Sequence, residues 1–482
     1  MNDFIITLLL MGAMSSSGNM PFWATANRFG VMPEWNGGLA WAGASTEYDG
    51  SKTVQWRWGA SMAAALETPP ADLQGSGVRS RLMVDELFGS LKWKVFSLDL
   101  GMKHNEQGFL SCAPSLGSLS STAGHLIWSG NSRSIPGYSL NLEPLKVPYT
   151  SGRLVIRGSY GDYRTLDDRF VKGALVHHTM FGIDFRITER LFFYGSLDHY
   201  ALWGGTHPVN GKRPSGLGNY IRVVTGSSGG SGSTASDQAN VLGDQRGAEI
   251  FGLRWKGEGL SLAFQHDIPY DDGSGMGFQN FPDGVNTLHL SFADKDAFIS
   301  DVLFEYATTM WQSGTRHDRP LPDGGRKIVG GGDNYFNNSE YKSGWTYQGR
   351  TIGFPLFFPA GTRLGAWDPR GTVLGIENNR LKAFHLGLSG KLFKKAPYKL
   401  MLTSSWNHGL YSKPYEGESQ WGKDPGTVKE TAVRQFSGAF MGEVPFGRLS
   451  LVYGLYLDKG MILADSFGAT VGLRWSLSPS RL

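Results

Sequence analysis

The chain has 482 residues, of which 67 are glycine, 13% are aromatic and only 18% are charged. Glycine is thus roughly twice as common as usual, and charge falls below the quarter or so expected of an average soluble domain. A net charge of +4 without a Lys/Arg-rich block gives no support for nucleic-acid binding, and a single cysteine, Cys112, excludes an intramolecular disulfide.

No apolar run reaches the roughly 18 residues of a membrane-spanning helix. The longest opens the chain, FIITLLLMGAM from Phe4 to Met14. It reads either as the hydrophobic part of a signal peptide, without the usual Lys or Arg before it, or as a first β-strand. Hydrophobic alternation follows in VQWRWGAS (54–61) and in ELFGSLKWKVFSLDLGMK (86–103), the latter a hairpin turning near Lys94. Residues 166–181, LDDRFVKGALVHHTMF, read as the best helix, with Thr165 as cap and Asp167 and Asp168 in the first turn. His177 and His178 are adjacent there and cannot grip one metal together.

Residues 224–247 are Gly/Ser-rich and read as a flexible surface loop. They contain a formal G-x-S-x-G match at 226–230, which lacks the strand before and helix after that a nucleophile needs. Leu253 and Trp255 lead through a Lys256–Gly259 turn into Leu260, Leu262 and Phe264, a second hairpin. Alternation continues through Val302, Phe304 and Tyr306, through Leu386, Leu388 and Leu392, and through Leu449 to Leu457. It ends without a break at Phe467, Ala469, Val471, Leu473, Trp475 and Leu477.

So many half-apolar strands, with Trp and Tyr at several ends, favour a membrane barrel over a sandwich. The last strand, Thr470-x-Gly472-x-x-Trp475-x-Leu477, resembles the terminal signal read by the barrel-assembly machinery, although SPSRL follows it. At about 10 residues per crossing, the length suits roughly 16–20 strands. The expectation is one all-β domain over residues 1–482: a transmembrane outer-membrane β-barrel of about 18 antiparallel strands with minor helical plug elements, one of them at 166–181.

Four strings in this order resemble one family. They are GNMPFWATANRFG (18–30), WSGNSRSIPGY (128–138), the His177–His178 pair leading to DHYALWGG (198–205), and DNYFNNSEYKSGWTYQGRTIGFPLF (333–357). The family is that of the Wzi-type capsule-assembly outer-membrane proteins, in its Bacteroidetes-like branch, and the likeness runs from Ile5 to the C-terminus. It implies an eighteen-stranded barrel, partly closed by helices, in the outer membrane of a Gram-negative bacterium. The implied activity is that of a non-enzymatic lectin that binds exported capsular polysaccharide and retains it at the cell surface. The resemblance also implies a strand directly before Asn19-Met20-Pro21-Phe22-Trp23, and so a signal peptide upstream of this start.

The stretch from Gly331 to Arg350 is too aromatic for an ordinary loop, and its polarity argues against a packed core. Aromatic rings stack on sugar C–H faces, and amides, carboxylates and guanidinium exchange hydrogen bonds with hydroxyls. The carbohydrate-binding candidates are therefore Asp333, Asn334, Tyr335, Asn337, Asn338, Trp345, Tyr347, Gln348 and Arg350, with Trp203 as an added flat face. The partners expected are surface polysaccharide and outer-membrane lipid. No catalytic residue, metal site or cofactor is expected, and a diffusion porin is the rival function.

Overall fold

The computed structural model describes residues 4–70, 77–104, 118–234, 237–238, 241–314, 317–320, 326–363, 375–419, 423 and 430–477. Eighteen antiparallel strands close into one barrel. The first nine are β1 (Phe4–Ser15), β2 (Asn36–Thr46), β3 (Val54–Thr68), β4 (Arg79–Trp93), β5 (Phe96–Met102), β6 (Gly137–Lys146), β7 (Leu154–Arg164), β8 (Leu175–Arg186) and β9 (Leu191–Trp203). The rest are β10 (Asp244–Lys256), β11 (Leu260–Tyr270), β12 (Gly284–Phe292), β13 (Asp301–Thr308), β14 (Arg380–Leu392), β15 (Ala396–Gly409), β16 (Val433–Phe446), β17 (Leu449–Gly460) and β18 (Ser466–Leu477). The apolar N-terminal run is thus a strand. It pairs with β2 on one edge and with β18 on the other, Leu10 lying opposite Leu473 and Ala13 opposite Thr470.

The alternation read from the sequence faces outward. In β18, Phe467, Val471 and Leu473 are exposed, whereas Ser466, Gly468 and Thr470 are buried on the lumenal side. In β17, Leu455 and Leu457 point out and Tyr456 and Asp458 point in. Glu67, Asp85, Asp198, Gln265, Glu305 and His385 are likewise buried. An apolar exterior around a polar interior suits hydrocarbon and is the reverse of a soluble barrel. No described helix is long and apolar enough to cross a membrane; the strands cross instead.

Turns at one end are short, as between Lys256 and Leu260, Leu392 and Ala396, or Phe446 and Leu449. At the other end the connections are long, above all those from Trp203 to Asp244 and from Thr308 to Arg380. Outer-membrane barrels keep short turns in the periplasm, which assigns the long-loop end to the cell exterior. Both expected hairpins are present, with Lys94 at φ 53° in the first turn.

The expected helix at 166–181 is not a helix. Gly173 takes φ 63°, and both the amide and the hydroxyl of Thr165 donate to the Ala174 carbonyl at 2.9 Å. These bonds close residues 165–174 into a loop, and β8 starts at Leu175. Period two wins because Val176 and His178 face the lumen while His177 faces outward. A short helix inside the barrel is α1 (Phe22–Thr25), whose Phe22, Trp23 and Ala24 are buried. A second helix, α2 (Leu217–Val224), precedes Gly226, so the G-x-S-x-G match follows a helix and not a strand. The 224–247 segment is tied down in part, Asp237 pairing with Arg213 at 2.6 Å. Cys112 and SPSRL lie outside the described residues.

An outward arginine near the middle of a strand separates a lipid-facing wall from a solvent-facing one. Leu10→Arg is expected to lower the unfolding free energy in phospholipid vesicles by about 2–4 kcal/mol, measured by reversible denaturant titration. A change within about 0.5 kcal/mol, typical of solvated surface sites, would contradict the lipid-facing assignment.

Candidate functional site

The long loops do not stand away from the barrel; several fold back into it as a plug. One continuous core joins Trp23, Leu126, Ile127, Phe336, Trp345, Phe354 and Phe357 to wall residues that include Tyr200, Ile250, Ala307, Leu381, Met401 and Tyr456. A buried irregular backbone needs hydrogen-bond partners, and inward acids of the wall supply them. Glu305 accepts from Ser120 Oγ at 2.6 Å and from the Ser121 amide at 2.7 Å. Asp267 accepts from the Leu126 amide at 2.7 Å, and Asp458 from the Phe22 amide at 2.8 Å. Trp23 Nε1 donates to Thr403 Oγ1 at 3.0 Å.

Two plug segments run side by side. The Phe354 amide donates to the Leu126 carbonyl at 2.8 Å, and the Ser129 amide donates to the Ile352 carbonyl at 3.0 Å. Between them the backbones approach so closely that a Cβ on Gly353 would lie 2.2 Å from the Leu126 oxygen. Trp345 Nε1 donates to the Ile127 carbonyl at 2.6 Å, and the guanidinium of fully buried Arg246 lies 5.1 Å from the Trp345 ring. That cation–π contact, made in a desolvated setting, fastens the plug to β10.

Most of the Gly331–Arg350 stretch is plug core and not open surface, with Gln348 and Gly349 among its exposed exceptions. Tyr335 and Trp345 are fully buried, and Asp333, Asn337 and Tyr347 are buried as well. The amides are engaged internally. Asn337 clamps Ile376 through Nδ2 to its carbonyl at 3.0 Å and Oδ1 from its amide at 2.9 Å. Asn334 Oδ1 accepts from Asn379 Nδ2 at 2.6 Å, and Asn338 Oδ1 accepts from the amides of Glu340 and Tyr341. Trp203 is not brought to them. It faces the outer side of β9 and packs with Val223 and Leu242 beneath α2. The two histidines separate too: His178 stacks on lumenal Tyr200, and His177 bonds Asp162 on the outer face.

The plug offers two faces. Toward the loop end, the hairpin Thr346–Thr351 turns through Gln348 and Gly349, both at positive φ. Gln348 is exposed there, and Arg350 is half-buried with Nη2 3.2 Å from Glu34. Asp168 and Lys172 form an exposed pair in the neighbouring loop. Toward the short turns, a cavity of about 220 Å³ is lined by Trp23, Asn27, Arg28, Phe29, Trp128 and Lys399, among others. Sequence reading quoted five of these six within the strings 18–30 and 128–138 but did not see that they converge. Lys399 lies far off in β15, and nothing in its local pattern sets it apart.

Burial, with Asp272 and Asp283 nearby, pushes the Asp333 carboxyl up to about 7. Burial also pushes Asp283 up to about 6, against opposing hydrogen bonds from Gln312 and Trp311. Both groups bind protons more tightly folded than unfolded. Plug stability is then highest below the unfolded carboxyl range, falls as pH rises from about 4 to about 7, and levels off above. Asp333→Asn is expected to flatten this fall in part, with Asp283 supplying the remainder, as read by hydrogen exchange of plug amides across that range. An unchanged slope would contradict the buried-carboxyl account.

No protein-family model and no curated protein matches the sequence. The fold does have solved counterparts. Wzi, an outer-membrane protein involved in group 1 capsule assembly in Escherichia coli and described as a carbohydrate-binding β-barrel, aligns over 98% of this chain and 84% of its own at 15% identity and TM-score 0.55. Pseudomonas aeruginosa OpdK with vanillate aligns over 98% of both chains at 9% identity and TM-score 0.46. Acinetobacter baumannii OccAB2 aligns over 99% of this chain and 98% of its own at 10% identity and TM-score 0.47. At these identities the likeness to Wzi is one of fold, and the chain is an eighteen-stranded barrel of the outer-membrane type.

Proposed function

We propose that this protein is a plugged outer-membrane barrel that binds exported capsular or related surface polysaccharide, without converting it, and holds it at the cell surface. The observation that carries this reading is the apolar core running from wall to wall through Trp23, Ile127, Trp345 and Phe357. A diffusion porin needs a continuous water path, and an apolar core of this kind opposes one. The fold likeness to a barrel described as carbohydrate-binding agrees with the proposal.

In this reading the polymer lies over the loop end. Gln348 and Arg350 exchange hydrogen bonds with its hydroxyls or acidic groups. Asp333, Asn334, Tyr335, Asn337, Asn338, Trp345 and Tyr347 hold the hairpin that presents them. Each contact is weak, and retention comes from many repeats of the polymer engaging many barrels.

The test is the partition of polysaccharide between cells and medium in a deletion strain and its complemented parent. Polymer that is still made but shed into the medium is the expected result, and unchanged partition would overturn the reading. Gln348→Ala and Arg350→Ala are each expected to weaken polymer binding by about 3- to 10-fold, the worth of one such hydrogen bond. In planar bilayers the wild-type barrel is expected to stay closed, whereas Gly353→Ala, which forces the two plug segments apart, opens steps of conductance. Steady wild-type conductance would favour the porin.

A further inference from the structure

A well-formed pocket lies outside the barrel, on the membrane-facing wall. It measures about 690 Å³, and its floor comes from Phe264 of β11 and Tyr306 of β13. Strand register fixes which side this is. Gln265, Glu305 and His385 are buried toward the lumen, so Phe264, Tyr306 and Lys382 point away from it. Phe281 and Trp311, both exposed, form its rim from the adjoining loops. Thr308 ends β13 and Arg380 begins β14, so the pocket sits at the loop end of the wall, at the level of the outer leaflet's headgroups.

Two cations stand at its upper edge. Lys382 is exposed and makes no ion pair among the described residues. Arg380 is almost fully buried, held by Glu430 at 2.8 Å and lying 3.7 Å from the Tyr411 ring centroid. Among the described residues its Nε and Nη1 have no hydrogen-bond partner, an expensive state for a buried guanidinium. The two acids nearby are already engaged. Glu430 lies between Arg380 and His408, 2.7 Å from His408 Nδ1. Asp283 accepts from the Trp311 and Gln312 amides and from the Tyr335 hydroxyl.

We propose that this pocket seats a phosphate-bearing lipid of the outer leaflet, with an acyl chain on the Phe264–Tyr306 floor and the phosphate between Lys382 and Arg380. The floor is continuous with the lipid-facing band through exposed Leu288, Phe304 and Phe384. A guanidinium with two free donors beside an ammonium matches a phosphate in charge and geometry. The site is separate from the Gln348–Arg350 hairpin, since its floor and Lys382 lie on the outer face of the wall.

Native mass spectrometry of the full-length barrel released from detergent, titrated with lipid A, tests it. Lys382→Glu is expected to lower lipid A retention by about tenfold, the effect of one charge-assisted contact, and Lys382→Arg to keep it. Lys391→Glu, on the same strand but at the short-turn end, is expected to bind as wild type. Heat-modifiable gel mobility verifies that each variant has folded. Wild-type retention by Lys382→Glu, an equal loss in Lys391→Glu, or equal binding of dephosphorylated lipid A would each overturn the proposal.

Discussion

Everything in this molecule depends on the seam between the first and last strands. In hydrocarbon no water is present to satisfy a free backbone amide or carbonyl, so a sheet that crosses a membrane must close. Here Ile6–Ser15 pairs with Gly468–Leu477 while the other edge of the first strand holds the second. Once the ring is shut, the residue period of two has only one use, to send apolar side chains to lipid and polar ones to the lumen. The interior charges follow from this. Glu305, Asp267 and Asp458 are tolerated because each faces a backbone donor of the plug and not lipid.

That polar inner wall in turn makes the plug possible. Loops buried in a protein interior carry amides that no neighbouring strand can satisfy. The inward carboxylates act as fixed acceptors for those amides, and the aromatic cluster of Trp128, Tyr200 and Trp345, with ring centroids 5.3–5.9 Å apart, supplies the apolar filling. Wall and plug are complementary: inward acids accept from plug amides, and Gln265 and Lys399 donate back to the plug carbonyls of Gly124 and Ser118.

The barrel was legible in the sequence because each strand has a single wet side and a single greasy side, and the pattern repeats until the chain ends. The plug was harder to read for a definite reason. Asn334, Asn337 and Asp333 look like surface residues, but a buried loop requires polar side chains to pair its own backbone, as Asn337 does with Ile376. Polarity there marks irregular interior backbone and not exposure. Residues 166–181 misled through Thr165, Asp167 and Asp168, which resemble a helix start, whereas Gly173 and the alternation from Val176 onward decide for loop and strand. The four strings that suggested a family contribute largely to the plug. Asn131, for instance, donates to the Thr351 carbonyl at 2.9 Å and so joins two of them.

The plug's composition ties its own formation to that of the wall. Its core is drawn from the connections after β1, β5, β7 and β13, segments separated by up to several hundred residues, as in the contacts of Trp345 with Ile127 and of Arg350 with Thr25. The connection after β13 stacks Phe336 and Phe354 on Phe357, and the other segments join it where the wall brings them together. Contacts of such long sequence separation form late, because chain entropy must be lost before any of them is gained. The seam between β1 and β18 spans a still longer separation, so closing the wall and seating the plug both belong to the late part of assembly, and each holds the other in place.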